Sequence, residues 1–583
     1  MTSFEIENLF FDRDSIANVV KLDSRFSNWP VVYTLHGRSQ VYVGETLNAE
    51  VRMRQHLDSP EKQQLERLKV ILDNSFNKSV CLDLESFLIR LFSGDGQFEV
   101  LNRNIGITDA DYYARTSYQG QFDEIFDALR EQGLFSRSLP EIENSDLFKL
   151  SPFKSLTSDQ ASAVEDLLEN FFSSDAGPKS ETYIISGEPG TGKTVVGIYL
   201  LKLLSDIAAY DFDEPVDEDT IFSGLFRPDL VAIAKQLRVG LVVPQQSLRE
   251  SIKRVFRSTP GLNPKQVLTV FEVGESDQVW DLLIVDESHR LNHRANQPSG
   301  LQNIKFRDIN MKLFGIDDIA YSQLDWIRDR SRAQVLLLDP MQSVRPADLP
   351  LEVTQNLIAE SRNFNNFYPL KSQMRIKATE DYVGYVRSIL SGNQESQLSL
   401  SDYEFVLFEN FSDLYSELRA REEKFGLCRM LAGFAWPWLS NSHLKDPAEY
   451  DIKLDGGVRL KWNSTDKDWV NSPEAFNEVG SIHTIQGYDL NYAGVIIGPD
   501  LRYDPQTRSL YLDRSNYFDK KGKENNRKLG ITYSDSDLLK FVTNIYGVLL
   551  SRGIRGTFVY VADDDLRNYL SRFVRKFSRD LLS

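Results

Sequence analysis

The stretch that decides the fold is TYIISGEPGTGKTVVGIYLLKLL, residues 182–204. An apolar, strand-like run leads into the glycine-rich segment GEPGTGKT at 187–194, and a helix-like apolar run follows it. This order of strand, loop and helix is what a phosphate-binding P-loop requires. Its glycines let backbone N–H groups turn toward phosphate oxygens, and the helix N-terminus adds a positive dipole end. The sequence therefore predicts a nucleotide-binding α/β domain.

The residue types of this loop suit ATP and Mg²⁺. Lys193 supplies a positive charge to the phosphates, and Thr194 supplies a hydroxyl ligand for Mg²⁺. Gly187, Gly190 and Gly192 give the backbone the freedom to wrap around the phosphates. We expect these five residues to bind the nucleotide.

A second apolar run, DLLIVDESHRL at 281–291, ends in two acidic residues. Asp286 can hold the magnesium shell, and Glu287 is placed to activate the water that attacks the γ-phosphate. For His289 two roles are open, a relay from the nucleotide site to neighbouring motifs or a structural contact. Together with the P-loop, this run predicts a site for ATP hydrolysis.

Length and composition limit the classes of protein. A chain of 583 residues is too long for one hydrophobic core, so three or four domains are expected. No apolar run approaches the roughly 20 residues that cross a bilayer, and the acidic N-terminus has no signal-peptide pattern. The only cysteines, Cys81 and Cys428, predict a reducing cytoplasm and no disulfide framework. The net charge of −18 lowers the expectation of nucleic-acid binding, although a local basic groove can exist within it.

Further apolar runs alternate with helix-like segments along the rest of the chain. They read GLVVP, QVLLLD, AGVIIG and GTFVYVA. Apolar strands that alternate with helices are typical of parallel α/β sheets, and there are enough of them for two such domains.

The ordered motifs resemble those of superfamily 1 helicases over roughly residues 150–570. The wording of these motifs, and of MLAGFAWPW at 430–438, is most similar to the DUF2075 or Schlafen-type helicase domain. The resemblance implies these residues: Gln160 of LTSDQ as the adenine reader, VVPQQSLRESI as a strand-contacting segment, Asp339 and Gln342 of LLLDPMQSV, Arg375 of LKSQMR at the γ-phosphate, Gln486, Gly487 and Asp489 of HTIQGYDL, and Arg552 of LLSRGIRG as the arginine finger with Arg555 as its rival.

That resemblance implies two RecA-like domains that meet across one nucleotide. An arginine inserted by the second domain stabilises transition-state charge and raises the rate by about 10³ to 10⁵. The site is complete only when the domains close, so ATP hydrolysis is coupled to opening and closing of the two domains. This motion can move a nucleic-acid strand.

The N-terminal region predicts a hairpin followed by two helices. VVYTLHGRSQVYVG at 31–44 reads as two strands with a short turn, and NAEVRMRQHL at 48–57 as a helix with Asn48 as its N-cap. Arg52 and His56 are four residues apart and share one helix face. LDLESFLIRLF at 82–92 reads as a second helix with Glu85 beside its apolar stripe.

This order resembles the GIY-YIG nucleases over about residues 28–105. The resemblance implies that Arg52 binds the phosphate and that Glu85 is the single Mg²⁺ ligand. Tyr33 and Tyr42 would position or deprotonate the attacking water, and His56 would assist them. The asparagine at the end of the motif series would be Asn102 or, as the alternative, Asn104. A metal on Glu85 suits phosphodiester hydrolysis, since a hard cation polarises the phosphate.

The sequence thus predicts an α/β protein with a GIY-YIG nuclease-like domain at 1–115, a linker at 116–150, and RecA-like domains at 151–365 and 366–583. We expect an ATP- and Mg²⁺-dependent helicase or translocase with a fused endonuclease that acts on DNA, or on RNA, in DNA processing or antiviral defence. Protein partners or a homo-oligomer are compatible with it. The alternative is an ATPase switch triggered by nucleic acid, whose N-terminal domain binds without cleaving.

Overall fold

A computed structural model describes residues 4–102, 112–113, 115–173, 181–212, 222–294, 300–339, 346–373, 376, 381–440, 450–465, 468–485, 487–525 and 530–578. The chain divides into two compact units. The first comprises Met1–Ser173, Thr194–Leu237 and Ser251–Gln266, and the second comprises Ser174–Lys193, Arg238–Glu250 and Val267–Ser583.

The first unit contains a five-stranded sheet. Its strands are β1 (Phe4–Phe10), β2 (Val31–His36), β3 (Gln40–Thr46), β4 (Arg67–Asp73) and β5 (Glu99–Val100). They lie in the order β1-β4-β2-β3-β5, and all neighbours are antiparallel except β3 and β5. The predicted hairpin is confirmed as β2 and β3, with a turn between them at 37–39.

The following helices lie wholly or partly in the first unit. They are α1 (Arg13–Leu22), α2 (Arg25–Asn28), α3 (Ala49–Asp58), α4 (Lys78–Asp95), α5 (Arg115–Glu131), α6 (Leu139–Glu143), α7 (Asp146–Lys149), α8 (Ser158–Ser173), α9 (Lys193–Ala208), α10 (Pro228–Ala234) and α11 (Gln246–Arg257). The predicted N-cap is confirmed, because the Asn48 side chain accepts a hydrogen bond from the backbone N–H of Val51. The predicted apolar stripe of α4 is buried at Leu84, Leu88 and Phe92.

The structure differs from the predicted linker at 116–150, because this segment carries α5, α6 and α7. Phe122, Phe126 and Leu129 of α5 are buried in the same core as the stripe of α4. Their spacing places them on one helix face, and the acidic residues between them lie on the other. The other domain boundaries stay predictions.

A six-stranded sheet in the second unit carries the P-loop. Its strands are β6 (Glu181–Gly187), β7 (Val239–Val242), β8 (Val267–Leu268), β9 (Trp280–Val285), β10 (Ser331–Leu338) and β11 (Phe367–Leu370). They lie in the order β11-β6-β10-β9-β7-β8 and every pair is parallel. Their carboxyl ends therefore meet at one edge, where ligands bind in such sheets.

The second unit also contains an eight-stranded sheet and a separate hairpin. The strands are β12 (Glu404–Phe408), β13 (Cys428–Ala432), β14 (Ile452–Lys453), β15 (Arg459–Trp462), β16 (Glu478–Gly480), β17 (Leu490–Ile497), β18 (Leu501–Asp504), β19 (Ser509–Leu512), β20 (Gly553–Val561) and β21 (Arg575–Lys576). The sheet order is β14-β15-β16-β13-β17-β20-β12-β21, parallel except between β14 and β15. β18 and β19 form the antiparallel hairpin.

Helices lie on both faces of the eight-stranded sheet. The helices of the second unit are α12 (Val270–Glu275), α13 (Gly300–Phe314), α14 (Gln323–Arg330), α15 (Leu351–Asn363), α16 (Tyr382–Leu390), α17 (Phe411–Phe425), α18 (Ile482–Ile485), α19 (Asp535–Leu550) and α20 (Asp564–Leu570). Val495 of β17 packs with α16 and α19, and its neighbour Ile496 packs with α17. A parallel sheet buried on both faces explains why its strands read as continuous apolar runs. The predicted α/β class with parallel sheets is confirmed.

Two compositional expectations meet direct observations. Cys81 and Cys428 are buried free thiols. Within the described ranges, no helix combines the length and apolarity that crossing a bilayer requires.

Candidate functional site

The P-loop joins β6 to α9 at the carboxyl edge of the six-stranded sheet. Gly190 and Gly192 have φ of +90° and +78°, in the left-handed region that favours glycine. A Cβ on Gly187 would lie 2.3 Å from Oγ1 of Thr191. The backbone of the loop therefore favours glycine at positions 190 and 192, and the Thr191 side chain leaves no room for a Cβ at position 187. The resulting cradle fits a bound phosphate chain.

The Lys193 ammonium lies inside this loop. Its Nζ donates to the carbonyl oxygens of Gly187 at 2.6 Å and Glu188 at 2.9 Å. Nζ is also 4.0 Å from Oδ2 of Asp339, which follows β10. Thr194 lies in the first turn of α9, where its hydroxyl is an oxygen donor of the kind that Mg²⁺ prefers.

The predicted acidic pair follows β9 at the same edge. Asp286 is buried, and its Oδ1 accepts from the backbone N–H of Glu287 at 3.0 Å. Glu287 has φ of +46°, which is uncommon for a residue with a side chain and often marks a functional site. Burial raises the pKa of Glu287, but His289, Arg290 and Lys193 outweigh it and hold that pKa below its usual range. The carboxylate therefore stays ionised, as a water-activating group requires.

His289 connects the acidic pair to the neighbouring strand. Its Nε2 lies 3.0 Å from Oε2 of Glu287, and its Nδ1 accepts from the backbone N–H of Asp339 at 3.4 Å. His289 thus has one contact that suits a relay, to the Glu287 carboxylate, and one that suits a structural role, to the backbone of Asp339.

Two residues that the sequence reasoning missed contact the P-loop. Gln373, which follows β11, donates from Nε2 to the carbonyl oxygen of Pro189 at 2.8 Å. Arg387 of α16 forms an ion pair with Glu188. The signals were a glutamine within the LKSQMR motif and a lone cation in the apolar helix YVGYVRSIL.

A cavity of about 270 Å³ adjoins these contacts. Pro189 of the P-loop lines it together with residues of α16 and α19, and Ser551 lines it directly before Arg552. The segment that carries the predicted arginine finger therefore borders the same space as the P-loop.

Arg552 and Arg555 lie in different surroundings. Arg552 is buried, and its Nη1 donates to the carbonyl oxygen of Tyr488 at 3.4 Å, beside the predicted motif residues Gly487 and Asp489. The Arg555 guanidinium instead lies 4.6 Å from the ring centroid of Phe425 at the end of α17. Gly487 has φ of +85°, so glycine is favoured there.

The remaining predicted nucleotide-site residues have no observed ligand role. Gln160 is buried, and its Oε1 accepts from the backbone N–H of Thr157 at 3.1 Å, so its side chain serves the start of α8. Its reading of adenine stays a prediction. Gln342, Arg375 and Gln486 lie outside the described residues, as does Asn104.

A family model for the Schlafen group 3, DNA/RNA helicase domain matches residues 180–563, well over half of the chain. The chain belongs to this family. The Schlafen group 3 helicase domain thus runs from the beginning of β6 to the residues that follow β20 and includes every P-loop contact described above.

Similarity to individual proteins is weaker. The uncharacterised protein YPL245W of Saccharomyces cerevisiae is 26% identical over 420 residues, 68% of this chain and 84% of that protein. The arterivirus helicase, nonstructural protein 10, has a TM-score of 0.26 at 11% identity, over 72% of this chain and 65% of that one. A structure of two Pif1 helicases unwinding forked duplex DNA has a TM-score of 0.25 at 10% identity, over 69% and 92%. Both TM-scores are low, so the family assignment depends on the sequence match.

The first sheet lies outside the Schlafen group 3 match and holds the second predicted site. The Tyr33 hydroxyl is 2.7 Å from Nε2 of His56, and the Tyr42 and His56 ring centroids are 5.1 Å apart. Lys62 Nζ is 3.0 Å from Nδ1 of His56. Because an ammonium can only donate, Nδ1 accepts and Nε2 carries the proton that it shares with Tyr33.

Arg52 and Glu85 act on the same two tyrosines. Burial raises the pKa of Tyr33 well above its usual value, to which Tyr42 and Glu85 add, while Arg52 opposes. Burial and the Glu85 charge raise the pKa of Tyr42 to about 12, again against Arg52. The structure therefore brings Tyr33, Tyr42, Arg52 and Glu85 together, but as neutral phenols, which suits positioning a water better than deprotonating it.

His56 is neutral in this site. Burial, with Lys62 and Arg52 nearby, lowers its pKa to about 2. The neutral imidazole can therefore orient the Tyr33 oxygen through its Nε2–H, but it is not protonated to imidazolium and does not act as a general acid near neutral pH.

The strand that carries Tyr42 has a glycine where the Tyr33 ring packs against it. Gly44 lies opposite Tyr33 in the ladder, and a Cβ on Gly44 would be 2.3 Å from the Tyr33 hydroxyl oxygen. Asn102 is buried, donates to the carbonyl oxygen of Val43 at 2.7 Å and accepts from its N–H at 3.1 Å. The role seen for Asn102 is therefore to brace β3.

Glu45 is a second carboxylate near Glu85. Burial raises the pKa of the Cys81 thiol, and both Glu45 and Glu85 add to that rise, so both charges lie near one buried group. In the part of the chain that the structure describes, three or more His, Cys, Asp or Glu side chains do not gather into a metal site. Glu45 and Glu85 still suit Mg²⁺, since this ion is often held by one or two carboxylates with water as the remaining ligands.

Proposed function

We propose that this protein is an ATP-dependent nucleic-acid helicase or translocase whose N-terminal domain is a Mg²⁺-dependent endonuclease of the GIY-YIG type. The observation that carries the motor is that Lys193 acts electrostatically on Glu287, which directly follows Asp286 at the carboxyl edge of a parallel sheet within a Schlafen group 3 helicase domain. DNA is the favoured substrate, with RNA second, and the fusion suits DNA processing or antiviral defence.

In the motor, each group of the chain has a distinct task. Lys193 binds the phosphates, and Thr194 and Asp286 would hold Mg²⁺, which supplies charge neutralisation on the β- and γ-phosphates. Glu287 orients and activates the water, and His289 holds the Glu287 carboxylate in place. Arg552 stabilises the charge that develops on the γ-phosphate.

Lys193→Ala tests the motor. The substitution removes the positive charge that the P-loop offers to the phosphates, so ATP turnover should fall to background while the thermal melting temperature changes little. Lys265→Ala, at an exposed lysine of the first unit, is the matched control and should keep full turnover. ATP hydrolysis by Lys193→Ala at the wild-type rate would disprove the motor.

Arg552→Ala and Arg555→Ala separate the two arginines. An arginine finger acts in the transition state, so Arg552→Ala should cut turnover by about 10³-fold or more and leave nucleotide binding nearly unchanged. Arg555→Ala should do neither, because its guanidinium lies over Phe425. If nucleotide binding and turnover fall equally in Arg552→Ala, Arg552 is not an arginine finger that stabilises the transition state.

The nuclease assignment rests on the shared site of Tyr33, Tyr42, Arg52 and Glu85. Arg52 would grip the phosphate oxygens, Glu85 would hold Mg²⁺, which polarises the phosphate, and the two phenols would position the water. The His56 N–H directed at Tyr33 keeps that phenol oriented.

Cleavage of labelled single-stranded, duplex and forked DNA and RNA with Mg²⁺ tests this assignment. Glu85→Ala should abolish cleavage by removing the metal ligand, and Arg52→Ala should abolish it by removing the phosphate clamp. Glu99→Ala, an exposed acid on β5, should cleave like wild type.

A second candidate is an ATPase switch whose N-terminal domain binds without cleaving. The full burial of Tyr33 favours it, because a phenol without exposed surface does not reach a substrate directly. ATPase stimulated by nucleic acid, with no cleavage on any of these substrates, would select the switch and reject the nuclease.

A further inference from the structure

The chain leaves β13 through the segment GFAWPW at 433–438, which brings aromatic rings together. The Phe434 ring centroid is 6.1 Å from that of Trp438 and 5.4 Å from that of His483. Phe434 and Trp438 are both partly exposed. The backbone N–H of Phe518 donates to the carbonyl oxygen of Phe434 at 2.7 Å, and 38% of Phe518 is exposed. We refer to Phe434, Trp438 and Phe518 as the aromatic platform.

A buried carboxylate fixes one side of the platform. Asp451 accepts from the backbone N–H groups of Ser440 at 2.7 Å and Trp462 at 2.8 Å, and from that of Leu439. These bonds hold the residues that directly follow Trp438 against β15. The platform is thus ordered before any ligand binds, which lowers the entropy cost of binding.

A lysine-rich turn lies on the other side. Asp519 accepts from the backbone N–H groups of Lys521 at 3.0 Å and Gly522 at 2.8 Å, and its Oδ2 is 3.4 Å from Nε2 of His483. The turn carries Lys520 and Lys521, both exposed, and Lys523, which is half-buried. Lys521 also forms an ion pair with the exposed Glu524 at 2.6 Å, so the three lysines at 519–524 outnumber two carboxylates and leave a small local excess of positive charge in a chain of net charge −18.

The segment VVPQQSLRESI, which is predicted to contact a nucleic-acid strand, lies near the platform. Gln245, in the segment VVPQQSLRESI, lies with its Nε2 3.5 Å from the carbonyl oxygen of His483, in HTIQGYDL. Gln245, His483 and the whole platform belong to the second unit.

We propose that the aromatic platform, with Lys520, Lys521 and Lys523, binds unpaired nucleotides of a single strand. Exposed rings beside cations suit this ligand, because unpaired bases stack on aromatic side chains while lysines pair with the phosphates. Bases in a duplex are already stacked on one another, so the platform discriminates against duplex. The inference rests on the proposed helicase function and adds the residues that hold its strand.

Fluorescence anisotropy with the full-length protein tests the platform. The probes are labelled single strands of DNA and of RNA with one sequence, and the matched duplexes. Phe518→Ala should weaken single-strand binding about 5- to 140-fold, the range for loss of one stacked base. Lys520→Ala should lower the slope of log affinity against log salt by roughly 0.7. Phe518→Trp should retain binding, since it keeps a stacking surface.

Two matched controls lie elsewhere on the surface. Phe364→Ala removes a ring that is 74% exposed, and Lys265→Ala removes an exposed lysine; both should bind the strands like wild type. Melting temperatures of all variants confirm that they fold.

The outcomes separate the two levels of the proposal. Weaker binding of single-stranded DNA, RNA or both by Phe518→Ala supports the platform. The nucleic acid whose binding is weakened more, DNA or RNA, is the preferred ligand. Wild-type affinity in Phe518→Ala overturns the platform and leaves the helicase function intact. Absence of binding by the wild-type protein to every strand and duplex overturns the helicase function itself.

Discussion

Arg387 reaches the P-loop from α16 and pairs with Glu188, at a distance of 199 residues along the chain. The pair is partly exposed, with 29% of the Arg387 side chain and 47% of the Glu188 side chain accessible to solvent. Such a pair contributes little to stability, about 1 kcal/mol or less. Its effect is therefore expected on the geometry of the loop rather than on folding.

We predict that Arg387→Ala and Glu188→Ala each raise the KM for ATP about 3- to 5-fold, and that the double variant is no worse than either single one. A shared interaction gives this non-additivity, because the first substitution already removes it. Steady-state ATPase assays on the four proteins measure the coupling. Fully additive effects would show that the pair does not act on the nucleotide site.

Asp500 gives a pH dependence to stability. It is buried after β17, accepts from the Tyr546 hydroxyl at 2.6 Å, and burial raises its pKa to about 7. A carboxyl with a raised pKa binds its proton more tightly in the folded state than in the unfolded one. Its contribution to stability is therefore complete below about pH 4 and is lost as pH rises through about 7.

Asp500→Asn should consequently raise the melting temperature relative to wild type by a few degrees at pH 8 and by little at pH 5. The amide keeps the size of the side chain and an acceptor for Tyr546 but cannot ionise. Asp565→Asn, at an exposed position of α20, is the control. A difference between Asp500→Asn and wild type that does not change with pH would exclude ionisation as its cause.

Sequence reasoning could place Lys193, Asp286 and Glu287 because each lies in a contiguous motif directly after an apolar strand. It could not find Arg387 or Gln373 at the P-loop, because their contacts depend on how distant segments pack. The same limit applies to Lys62, which fixes the tautomer of His56 from a segment with no recognisable pattern.

At the scale of elements, β2 and β3 depend on one glycine. Gly44→Ala places a methyl group where the Tyr33 ring lies, so either the ring or the strand must move. We predict at least about a tenfold loss of Mg²⁺-dependent cleavage and a lower melting temperature, because overpacking a core costs about 1–3 kcal/mol. Cleavage of labelled substrates and thermal melts measure both effects.

Gly120→Ala is the matched control for this substitution. Gly120 lies within α5, and a Cβ there has no neighbour within 4 Å. Alanine in a helix interior is favoured over glycine by about 0.5–1 kcal/mol, so this variant should keep cleavage and melt no lower than wild type. If Gly44→Ala matches Gly120→Ala in both assays, the site accommodates a methyl group at position 44 without displacing Tyr33, and the prediction is wrong.

The elements themselves were largely predictable. The apolar runs at β6, β9, β10, β17 and β20 predict strands because parallel strands buried on both faces have few polar interruptions. α5 was not identified, because its apolar residues are separated by acidic ones and a helix face is recognised only once its partner is known. Its stripe at Phe122, Phe126 and Leu129 fills the core beside α4.

At the scale of the whole molecule, the two proposed active sites use different metal ligands. Glu85 belongs to the first unit, whereas Asp286 belongs to the second. We predict that Glu85→Ala loses cleavage and retains ATPase, and that Lys193→Ala loses ATPase and retains cleavage of a short substrate that needs no translocation. Parallel assays of both activities on both variants measure this. Loss of both activities in either variant, with normal melting, would mean that the two reactions are coupled.

The family and the α/β class could be read from the sequence because the motifs occur in a fixed order along residues 150–570. The arrangement of strands in each sheet could not, since the order β11-β6-β10-β9-β7-β8 depends on crossovers that no local pattern encodes. The N-terminal assignment stays a prediction for a related reason. The geometry gathers its residues, but the chemistry of a single-carboxylate site depends on the ion and the substrate.

The close approach of Gly44 to Tyr33 has a consequence for how this protein varies among species. A lineage that uses the N-terminal site must keep both residues, because a side chain at position 44 and a ring at position 33 exclude each other. Once selection on cleavage ends, a change at either position frees the other to drift. Loss of the tyrosine and loss of the glycine should therefore occur in the same branches of the family tree, and relatives that retain the pair would identify the lineages in which the proposed nuclease is still under selection.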